Sequence, residues 1–269
     1  MTKEMKAGAI RFEHATVRYP GSDRNAIEDV CFECGGGELV VLLGPSGCGK
    51  STLLRTVNRL VPLDSGRILL DGDDITKRDP VELRRGIGYV IQAVGLFAHM
   101  TVAQNIAVVP SLQGWGRAAI AQRVDELLRL VGLDPEVYRD RRPSRLSGGE
   151  AQRIGVARAI AARPQALLMD EPFGAVDVLV RTALQRELVR IVAELQTTTL
   201  FVTHDVDEAF RLADRIVVMR AGRVEQVAKP QELFEQPATQ YVRELVHAGD
   251  DVYRRYYLHG RALLRGLEQ

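Results

Sequence analysis

Eight consecutive residues combine glycine, lysine and serine at the spacing that phosphate binding requires. We call them the phosphate loop: Gly44, Pro45, Ser46, Gly47, Cys48, Gly49, Lys50 and Ser51. The glycines let the backbone curl until successive N–H groups point inward as a nest of donors. Lys50 supplies a mobile ammonium for the outer phosphates, and the Ser51 hydroxyl can fill one coordination position of Mg²⁺. The segment therefore predicts a nucleotide-binding site.

The residues on either side of the phosphate loop support this interpretation. Residues 39–43 form an apolar run before the loop and the helix-forming residues 52–55 follow it, so the chain reads strand, loop, helix. The N-terminal end of such a helix adds its positive dipole to the site. A plain glycine turn is the alternative interpretation, and the complete GxxxxGK[ST] spacing in this context disfavours it.

Polar side chains also stand where three further apolar runs end. These are Asp170 and Glu171 after residues 166–169, His204 after residues 199–203, and Gln92 after residues 87–91. The carboxyl ends of strands are where α/β sheets bind ligands. Asp170 suits metal binding and Glu171 suits activation of a water molecule. A lone histidine is normally structural, but His204 ends one of several such strands and can therefore polarise a γ-phosphate.

A serine and two glycines open another predicted helix. Residues 146–150 read Leu-Ser-Gly-Gly-Glu, and we call them the serine–glycine segment. Ser147 can act as the N-cap of the helix, which leaves backbone N–H groups exposed beside Gly148 and Gly149. Exposed N–H groups at a helix start form a small anion site. The chain thus carries two predicted phosphate sites, which calls for an explanation.

The order of the predicted elements indicates an α/β fold. Residues 10–43 read as short strands separated by turns that lead into the phosphate loop. Residues 93–160 read as a helical insertion, because apolar residues recur at helical spacing over residues 118–131. Residues 216–227 read as a hairpin around Ala221 and Gly222.

Three stretches carry alternatives that the residues leave open. Tyr19 precedes a turn upstream of the phosphate loop, where it can stack on a purine base or be a half-buried strand residue. Residues 95–100 are unusually apolar for a loop, which fits either a docking surface or a buried turn between helices. The tail from residue 241 mixes tyrosines and arginines, which fits a solvated or packed helix better than a membrane-surface role.

Composition limits the partners and the compartment. The chain has 269 residues and a formal net charge of +1, so no overall field recruits nucleic acid or an anionic membrane. Neither a membrane-spanning run nor a signal-peptide apolar region is expected, which predicts a cytoplasmic protein. Cys31 and Cys34 face opposite sides of a predicted strand, which disfavours a disulfide or a zinc site formed by this pair. Lys50 and the helix N-terminus are expected to favour the Cys48 thiolate.

The motifs resemble those of the ATP-binding cassette (ABC) family in order and spacing. They are the phosphate loop, Gln92, the serine–glycine segment, residues 167–171, Asp177 and His204. The resemblance covers about residues 8–240 and leaves 241–269 as a C-terminal tail. It implies a P-loop NTPase (RecA-like) core with an antiparallel β subdomain and an inserted α-helical subdomain at about 93–160. It also implies an ATPase that dimerises head to tail, with ATP held between the phosphate loop of one chain and the serine–glycine segment of the other.

The resemblance further implies roles for single residues. Tyr19 would stack on adenine, Lys50 would contact the β- and γ-phosphates, and Glu171 would polarise the attacking water. His204 would act on the γ-phosphate, and Asp177 would lie in the loop that couples the two sites. The implied catalytic residues are Glu171, His204, Gln92 and Lys50, and the implied Mg²⁺ ligands are Ser51, Gln92 and Asp170. The implied ATP-binding set is Tyr19, Gly44, Pro45, Ser46, Gly47, Cys48, Gly49, Lys50, Ser51, Thr52, Ser147, Gly148, Gly149 and Asp177.

Finer similarity points to one class of importer. Residues 56–60, 87–100 and 105–110 look like those of importers of glycine betaine, choline and related compatible solutes. This predicts an ATP-hydrolysing subunit that is peripheral to the cytoplasmic face of the cell membrane. Its expected partners are a second copy, integral membrane permease subunits and a solute-binding protein, with no nucleic acid. About 30 residues follow residue 240, so the paired regulatory domains that often follow such cassettes are not expected here.

Three alternatives remain at this point. The first is an importer ATPase for another small solute, such as an amino acid. The second is a soluble cassette ATPase of DNA repair or translation, which usually shows a long coiled coil, zinc-binding cysteines or two cassettes, and the sequence shows none of these. The third is a regulatory module that binds ATP without hydrolysis, and the presence of Glu171 and His204 argues against it.

Overall fold

Two β-sheets and the helices packed on them make up the described part of the computed structural model, residues 8–91, 95–173 and 178–247. The strands are β1 Ile10–Val17, β2 Ile27–Cys34, β3 Leu39–Leu43, β4 Ser65–Leu70, β5 Asp73–Asp74, β6 Ile87–Val90, β7 Ala166–Asp170, β8 Thr198–Thr203, β9 Arg215–Arg220 and β10 Arg223–Ala228. The helices are α1 Lys50–Val57, α2 Pro80–Arg85, α3 Val102–Leu112, α4 Arg117–Leu130, α5 Pro135–Tyr138, α6 Gly148–Ile160, α7 Val178–Leu195, α8 Val206–Leu212, α9 Pro230–Glu235 and α10 Gln240–His247. Short 3₁₀ turns lie at Ile75–Lys77 and Pro143–Arg145.

The smaller sheet is antiparallel, with the strand order β2-β1-β4-β5. Its inner face is apolar: Ile10, Phe12 and Val17 of β1 are buried, and Phe12 stacks on Phe32 of β2 with ring centroids 4.5 Å apart. Two irregularities interrupt the pairing of β1 with β2, one between Phe12 and Ala15 and one between Ala15 and Val17. These bulges re-aim the outward side chains of the hairpin.

The larger sheet has six strands in the order β10-β9-β3-β8-β7-β6. All neighbouring pairs are parallel except β9 with β10, which form an antiparallel hairpin at the edge. Every residue of β3, β7 and β8 is buried, as expected of parallel strands that are covered on both faces. Val41 and Leu43 face the helical side, whereas Val40 and Leu42 face the smaller sheet.

The strand order decides where the loops meet. β8 lies between β3 and β7, and the three strands run in the same direction. The segments that follow Leu43, Asp170 and Thr203 therefore leave the sheet at one edge. This is the arrangement of a P-loop NTPase core with an antiparallel β subdomain and an inserted group of helices, and the expected fold class is confirmed.

Several predicted elements agree with the structure. The predicted helix over 118–131 corresponds to α4, and the predicted hairpin around Ala221 and Gly222 corresponds to β9 and β10. Both turn residues have positive φ, 47° for Ala221 and 83° for Gly222, as a tight hairpin turn requires. Cys31 is exposed and Cys34 is buried, so the two thiols lie on opposite faces of β2, as the strand pattern predicts.

The packed structure continues past residue 240, where the sequence analysis places the start of the tail. Val242 and Val246 of α10 are buried in the main core cluster, beside Leu233 of α9. Residues 248–269 lie outside the described residues, so the membrane-surface alternative for the tail stays untested. Within the described ranges, no helix combines the length and the apolar character needed to cross a bilayer.

Candidate functional site

The phosphate loop joins the end of β3 to the start of α1, and two of its glycines have no room for a side chain. A Cβ on Gly44 would lie 2.3 Å from the carbonyl oxygen of Met219. A Cβ on Gly49 would lie 2.4 Å from the carbonyl oxygen of Ala26, and the φ of Gly49 is +106°. The loop can therefore curl this tightly only because glycine occupies both positions.

Lys50 is only 4% exposed, although it carries a positive charge. Its Nζ donates hydrogen bonds to the carbonyl oxygens of Gly44 at 2.7 Å and Pro45 at 2.9 Å. The ammonium is thus held against the loop by two carbonyl dipoles rather than by a carboxylate. A phosphate oxygen is a stronger partner for this charge than either carbonyl.

Asp170 lies at the end of β7, beside the helix that follows the phosphate loop. Ser51 Oγ donates a hydrogen bond to Asp170 Oδ1 at 2.7 Å, and Arg55 Nη2 lies 3.5 Å from Oδ2. A hydrogen bond with Tyr89 raises the pKa of Arg55, and the guanidinium, which is charged at any physiological pH, lies beside Asp170. Arg55 was not predicted as a site residue, although Ser51 and Arg55 are four residues apart on one helix and therefore share a face.

Glu171 and His204 meet where β7 and β8 end. The Glu171 N–H donates a hydrogen bond to the carbonyl oxygen of Val202 at 3.1 Å, which fixes its backbone against the neighbouring strand. Glu171 Oε1 lies 3.2 Å from Nδ1 of His204. The φ of Glu171 is +43°, a conformation that costs energy for a residue with a side chain and is typical of functional sites.

Tyr19 lies just beyond the end of β1, close to the helix of the phosphate loop. Its hydroxyl is 3.2 Å from Oγ1 of Thr52, and 42% of the residue is exposed. The alternative of a half-buried strand residue therefore does not describe it. An exposed aromatic ring tied to α1 at its hydroxyl end can accept a base on its free face.

The serine–glycine segment forms a capped helix start. Ser147 Oγ accepts a hydrogen bond from the N–H of Glu150 at 3.3 Å, and the Ser147 N–H donates to Glu150 Oε2 at 2.7 Å. A hydrogen bond from the Tyr138 hydroxyl lowers the pKa of Glu150 and keeps the capping carboxylate ionised. Ser147 and Gly148 are exposed, and a Cβ on Gly148 would meet only open space.

The structure does not bring this segment to the phosphate loop of the same chain. The helix that it opens, α6, packs against α3, α4, α7 and β6. Within the described residues, no hydrogen bond or ion pair joins residues 146–150 to residues 44–51. The two predicted phosphate sites are thus separate surfaces of one chain, as a site completed by a second chain requires.

Burial opposes the thiolate that the sequence analysis expects at Cys48. Cys48 is only 4% exposed, and this desolvation raises the pKa of its thiol despite the opposing effect of Lys50. The sulfur lies 3.9 Å from Lys50 Nζ, but the ammonium is already bound by two carbonyl groups. The expectation of a favoured thiolate is therefore wrong, because burial outweighs the nearby charge.

The burial of Cys48 predicts how fast the thiols react. A maleimide at neutral pH is expected to label the exposed Cys31 well before Cys48, and labelling of Cys48 should accelerate as the pH rises, because the reactive species is the thiolate. Bound nucleotide should slow the labelling of Cys48 further. Mass spectrometry of timed samples measures both rates, with Cys31 as the internal standard. Equal labelling rates at neutral pH would contradict the burial argument.

Two predicted site residues, Gln92 and Asp177, lie outside the described residues. The other predicted residues with catalytic, metal-binding or base-stacking roles lie near the ends of β3, β7 and β8; they are Tyr19, Lys50, Ser51, Asp170, Glu171 and His204. This edge offers buried positive charge, oxygen ligands and a carboxylate paired with an imidazole. Such a set can hold a polyphosphate and activate a water molecule.

Comparisons with known proteins agree with a site of this kind. The profile of the ABC transporter family matches residues 27–174. The glycine betaine/carnitine/choline transport ATP-binding protein OpuCA of Bacillus subtilis (strain 168) is 48% identical over 237 residues, which cover 88% of this chain and 62% of that protein. The glycine betaine uptake system ATP-binding protein YehX of Escherichia coli (strain K12) is 49% identical over 235 residues, which cover 87% of this chain and 75% of that protein.

One relative with another solute in its name is almost as similar. The sulfate/thiosulfate import ATP-binding protein CysA of Nocardia farcinica (strain IFM 10152) is 48% identical over 217 residues, which cover 81% of this chain and 64% of that protein. The chain thus spans less than two thirds of the length of OpuCA and CysA.

A solved structure shares the fold over most of the chain. The ATP-binding cassette MJ0796, in a dimeric post-hydrolysis state bound to ADP and Pi, superposes with a TM-score of 0.73 at 29% sequence identity. The superposition covers 82% of this chain and 98% of that chain.

Proposed function

The chain belongs to the ABC transporter family, and we propose that it is the ATP-hydrolysing subunit of an importer for quaternary-amine compatible solutes such as glycine betaine, choline or carnitine. The observation that carries the ATPase assignment is the gathering of Lys50, Asp170 and Glu171 at one edge of the larger sheet, where β3 and β7 end. The relatives named for these solutes support the substrate class.

We propose that the phosphate loop binds the phosphates of ATP through its backbone N–H groups and Lys50. The Lys50 ammonium exchanges its two carbonyl partners for β- and γ-phosphate oxygens, which bind a cation more strongly. Tyr19 stacks on the adenine, because its ring is exposed beside the same helix. Gln92 and Asp177 belong to the proposed site by the family resemblance.

The donor set beside the phosphate loop fits Mg²⁺. Ser51 Oγ and Asp170 Oδ1 are oxygen ligands only 2.7 Å apart, and Mg²⁺ prefers oxygen ligands and is commonly held by few side chains together with phosphates. Gln92 completes the proposed ligands. When bound, the ion neutralises charge that develops on the phosphates. Arg55 keeps Asp170 oriented toward this position, because the guanidinium lies 3.5 Å from its other oxygen.

Glu171 is the proposed general base. Its carboxylate can accept a proton from the attacking water, and the Glu171 backbone is fixed by the bond to Val202. His204 lies 3.2 Å from the same carboxylate and 59% of its side chain is exposed, so it can turn from Glu171 to a γ-phosphate oxygen. The protein thus mainly positions the reactants and offsets their charge.

We propose that a second copy of the chain completes each ATP site through Ser147, Gly148 and Gly149. The exposed helix start supplies N–H donors, and within the described residues no hydrogen bond or ion pair joins it to the phosphate loop of its own chain. The dimeric form of MJ0796 supports this arrangement. We also propose that residues 8–240 form the nucleotide-binding domain, with a helical subdomain at about 93–160, and that α10 packs on this domain as its C-terminal extension.

A permease is the proposed membrane partner, and the chain would bind it from the cytoplasmic face. Phe97 is 43% exposed in the apolar stretch 95–100, so the alternative of a fully buried turn does not hold for it. Arg158 lies 5.6 Å from the centroid of the Phe97 ring, which keeps that ring in one place. A solute-binding protein is the further proposed partner of the assembly.

Uptake measurements test the substrate class. We expect that deleting the gene abolishes accumulation of labelled glycine betaine, choline or carnitine, measured with and without added salt. A wild-type copy of the gene should restore uptake, whereas a Glu171→Gln copy should not. The matched control, a Glu82→Gln copy with the same chemical change at an exposed position, should restore uptake.

Sulfate uptake distinguishes the second candidate, because CysA matches this chain at the same identity as OpuCA, 48%, over a slightly shorter stretch. Loss of sulfate uptake with unchanged uptake of all three amines would overturn the substrate assignment and favour a sulfate importer. The ATPase assignment would stand in either case, because it rests on the site and not on the solute.

A further inference from the structure

Three potential metal ligands of different chemistry meet on the smaller sheet, outside the residues assigned to the nucleotide. They are Nδ1 of His14, a carboxylate oxygen of Asp29 and Sγ of Cys31, and they lie within 4.8 Å of one another. All three residues are exposed, so an ion can reach the ligands directly from solvent. None of them has a role in the proposed ATPase site.

Two consecutive β-bulges create this cluster. In the first, Glu13 and His14 of β1 lie opposite the single residue Cys31 of β2. In the second, Glu28 and Asp29 of β2 lie opposite Thr16 of β1. His14 and Asp29 consequently adopt positive φ, 53° and 52°, which is uncommon for residues with side chains. The bulges turn these two side chains toward each other and toward Cys31.

The atoms converge on one point. Nδ1 of His14 lies 2.7 Å from Asp29 Oδ1 and 3.5 Å from Cys31 Sγ. A proton relay of the Cys-His-Asp type would place the thiol and the carboxylate on opposite ring nitrogens. Here both face the same nitrogen, as ligands of a single ion do. The His14 N–H also donates a hydrogen bond to Cys31 Sγ at 3.1 Å, which holds the sulfur beside the ring.

We propose that His14, Asp29 and Cys31 bind a zinc ion. Zinc accepts thiolate, imidazole and carboxylate ligands together, whereas Mg²⁺ and Ca²⁺ prefer oxygen alone. Zinc–nitrogen and zinc–oxygen bonds are about 2.0–2.2 Å long and zinc–sulfur bonds about 2.3 Å, so a tetrahedral ion spaces its ligand atoms about 3.3–3.8 Å apart. The distance between Nδ1 of His14 and Oδ1 of Asp29 must therefore increase slightly from 2.7 Å, which the exposure of both side chains permits. The fourth position is left to water. As the ion binds, the thiol gives up its proton to solvent, and His14 binds as the neutral imidazole with its proton on Nε2, so that Nδ1 presents a lone pair to the ion.

This site uses Cys31 without Cys34, and the sequence likewise disfavours a zinc site formed by the Cys31–Cys34 pair. Cys34 is buried on the opposite face of β2, and burial raises the pKa of its thiol. The ligands come instead from across the hairpin, where the bulges place them. A bound ion would cross-link β1 to β2, the two strands whose connecting loop carries Tyr19.

The positive φ values allow variants that remove ligands without disturbing the fold. Glycine is the residue best suited to the backbone of position 14, and asparagine tolerates the backbone of position 29. His14→Gly, Asp29→Asn and Cys31→Ser therefore remove one ligand each. His99→Ala removes an exposed histidine elsewhere and serves as the matched control.

The test is a Zn²⁺ titration of the reduced, tag-free, metal-free chain against a chromophoric chelator, without nucleotide. We expect one zinc ion per wild-type and His99→Ala chain, affinity at least about tenfold weaker in each of the three ligand variants, and a zinc-dependent rise in Tm confined to the wild type and His99→Ala. Wild-type affinity in Cys31→Ser or His14→Gly, or no stoichiometric binding by the wild type, would overturn the proposal. Because nucleotide is absent, the outcome does not depend on the ATPase assignment.

Discussion

Replacing Glu171 by glutamine is expected to lower the rate of ATP hydrolysis by about 10²–10⁴-fold while ATP binding persists, because general-base catalysis contributes about that much. Glutamine keeps the size and the hydrogen-bonding geometry of the side chain but cannot accept the proton of the attacking water. The positive φ of Glu171 and the bond to Val202 are backbone features, so they remain in the variant.

The same variant should hold the dimer closed. If ATP lies between two chains, failure to hydrolyse it leaves the joining ligand in place, and size-exclusion chromatography with Mg-ATP should show a dimer that the wild type populates only briefly. The matched control is Glu82→Gln, the same chemical change at an exposed helix position. Hydrolysis at the wild-type rate by Glu171→Gln would contradict the role of Glu171 as the general base.

Replacing Lys50 by alanine is expected to weaken ATP binding by about 10–100-fold, because a charge-assisted hydrogen bond contributes roughly 1.5–3 kcal/mol. Hydrolysis should fall with it, since the ammonium also offsets charge on the γ-phosphate. A fluorescent ATP analogue measures the affinity directly. Lys77→Ala removes an exposed lysine from a 3₁₀ turn and should bind as the wild type does.

Lys50→Ala also leaves the carbonyl groups of Gly44 and Pro45 without their cation. Circular dichroism therefore accompanies the binding measurement, so that a loss of affinity can be separated from a loss of fold. A folded Lys50→Ala variant with wild-type affinity would show that the backbone N–H groups alone hold the phosphates. That result would contradict the proposed role of Lys50.

The sequence predicted the elements whose signals are local. The glycine spacing of the phosphate loop follows from steric limits at Gly44 and Gly49, and these limits apply whatever the rest of the chain does. The buried strands that end at Asp170 and Thr203 were visible as apolar runs. Their meeting at one edge required parallel neighbours, which the resemblance implied and the strand order confirms.

Interactions between distant segments were not predictable in this way. The contact of Arg55 with Asp170 joins residues from α1 and β7, and only the i, i+4 spacing from Ser51 hinted at it. The cluster of His14, Asp29 and Cys31 depends on two bulges, and the residue types of β1 and β2 do not predict the positions of these bulges. Burial of Cys48 likewise depends on tertiary packing, which is why the expected thiolate was wrong.

In the proposed assembly, each ATP site is shared by two chains. This sharing can be tested with two variants that fail for different reasons: Lys50→Ala damages the phosphate loop, and Ser147→Arg blocks the serine–glycine segment with a bulky side chain at an exposed position. Neither variant alone should hydrolyse ATP. In a mixed dimer, however, one site combines both damaged halves, and the other combines the intact phosphate loop with the intact serine–glycine segment.

The deciding measurement is the ATPase rate of an equimolar mixture of the two variants. Random pairing makes about half of the dimers mixed, each with one intact site, so the mixture should reach up to about a quarter of the wild-type rate if sites act independently. Cooperation between the sites would lower that figure but leave clear activity above either variant alone. A mixture no more active than the separate variants would contradict the shared site.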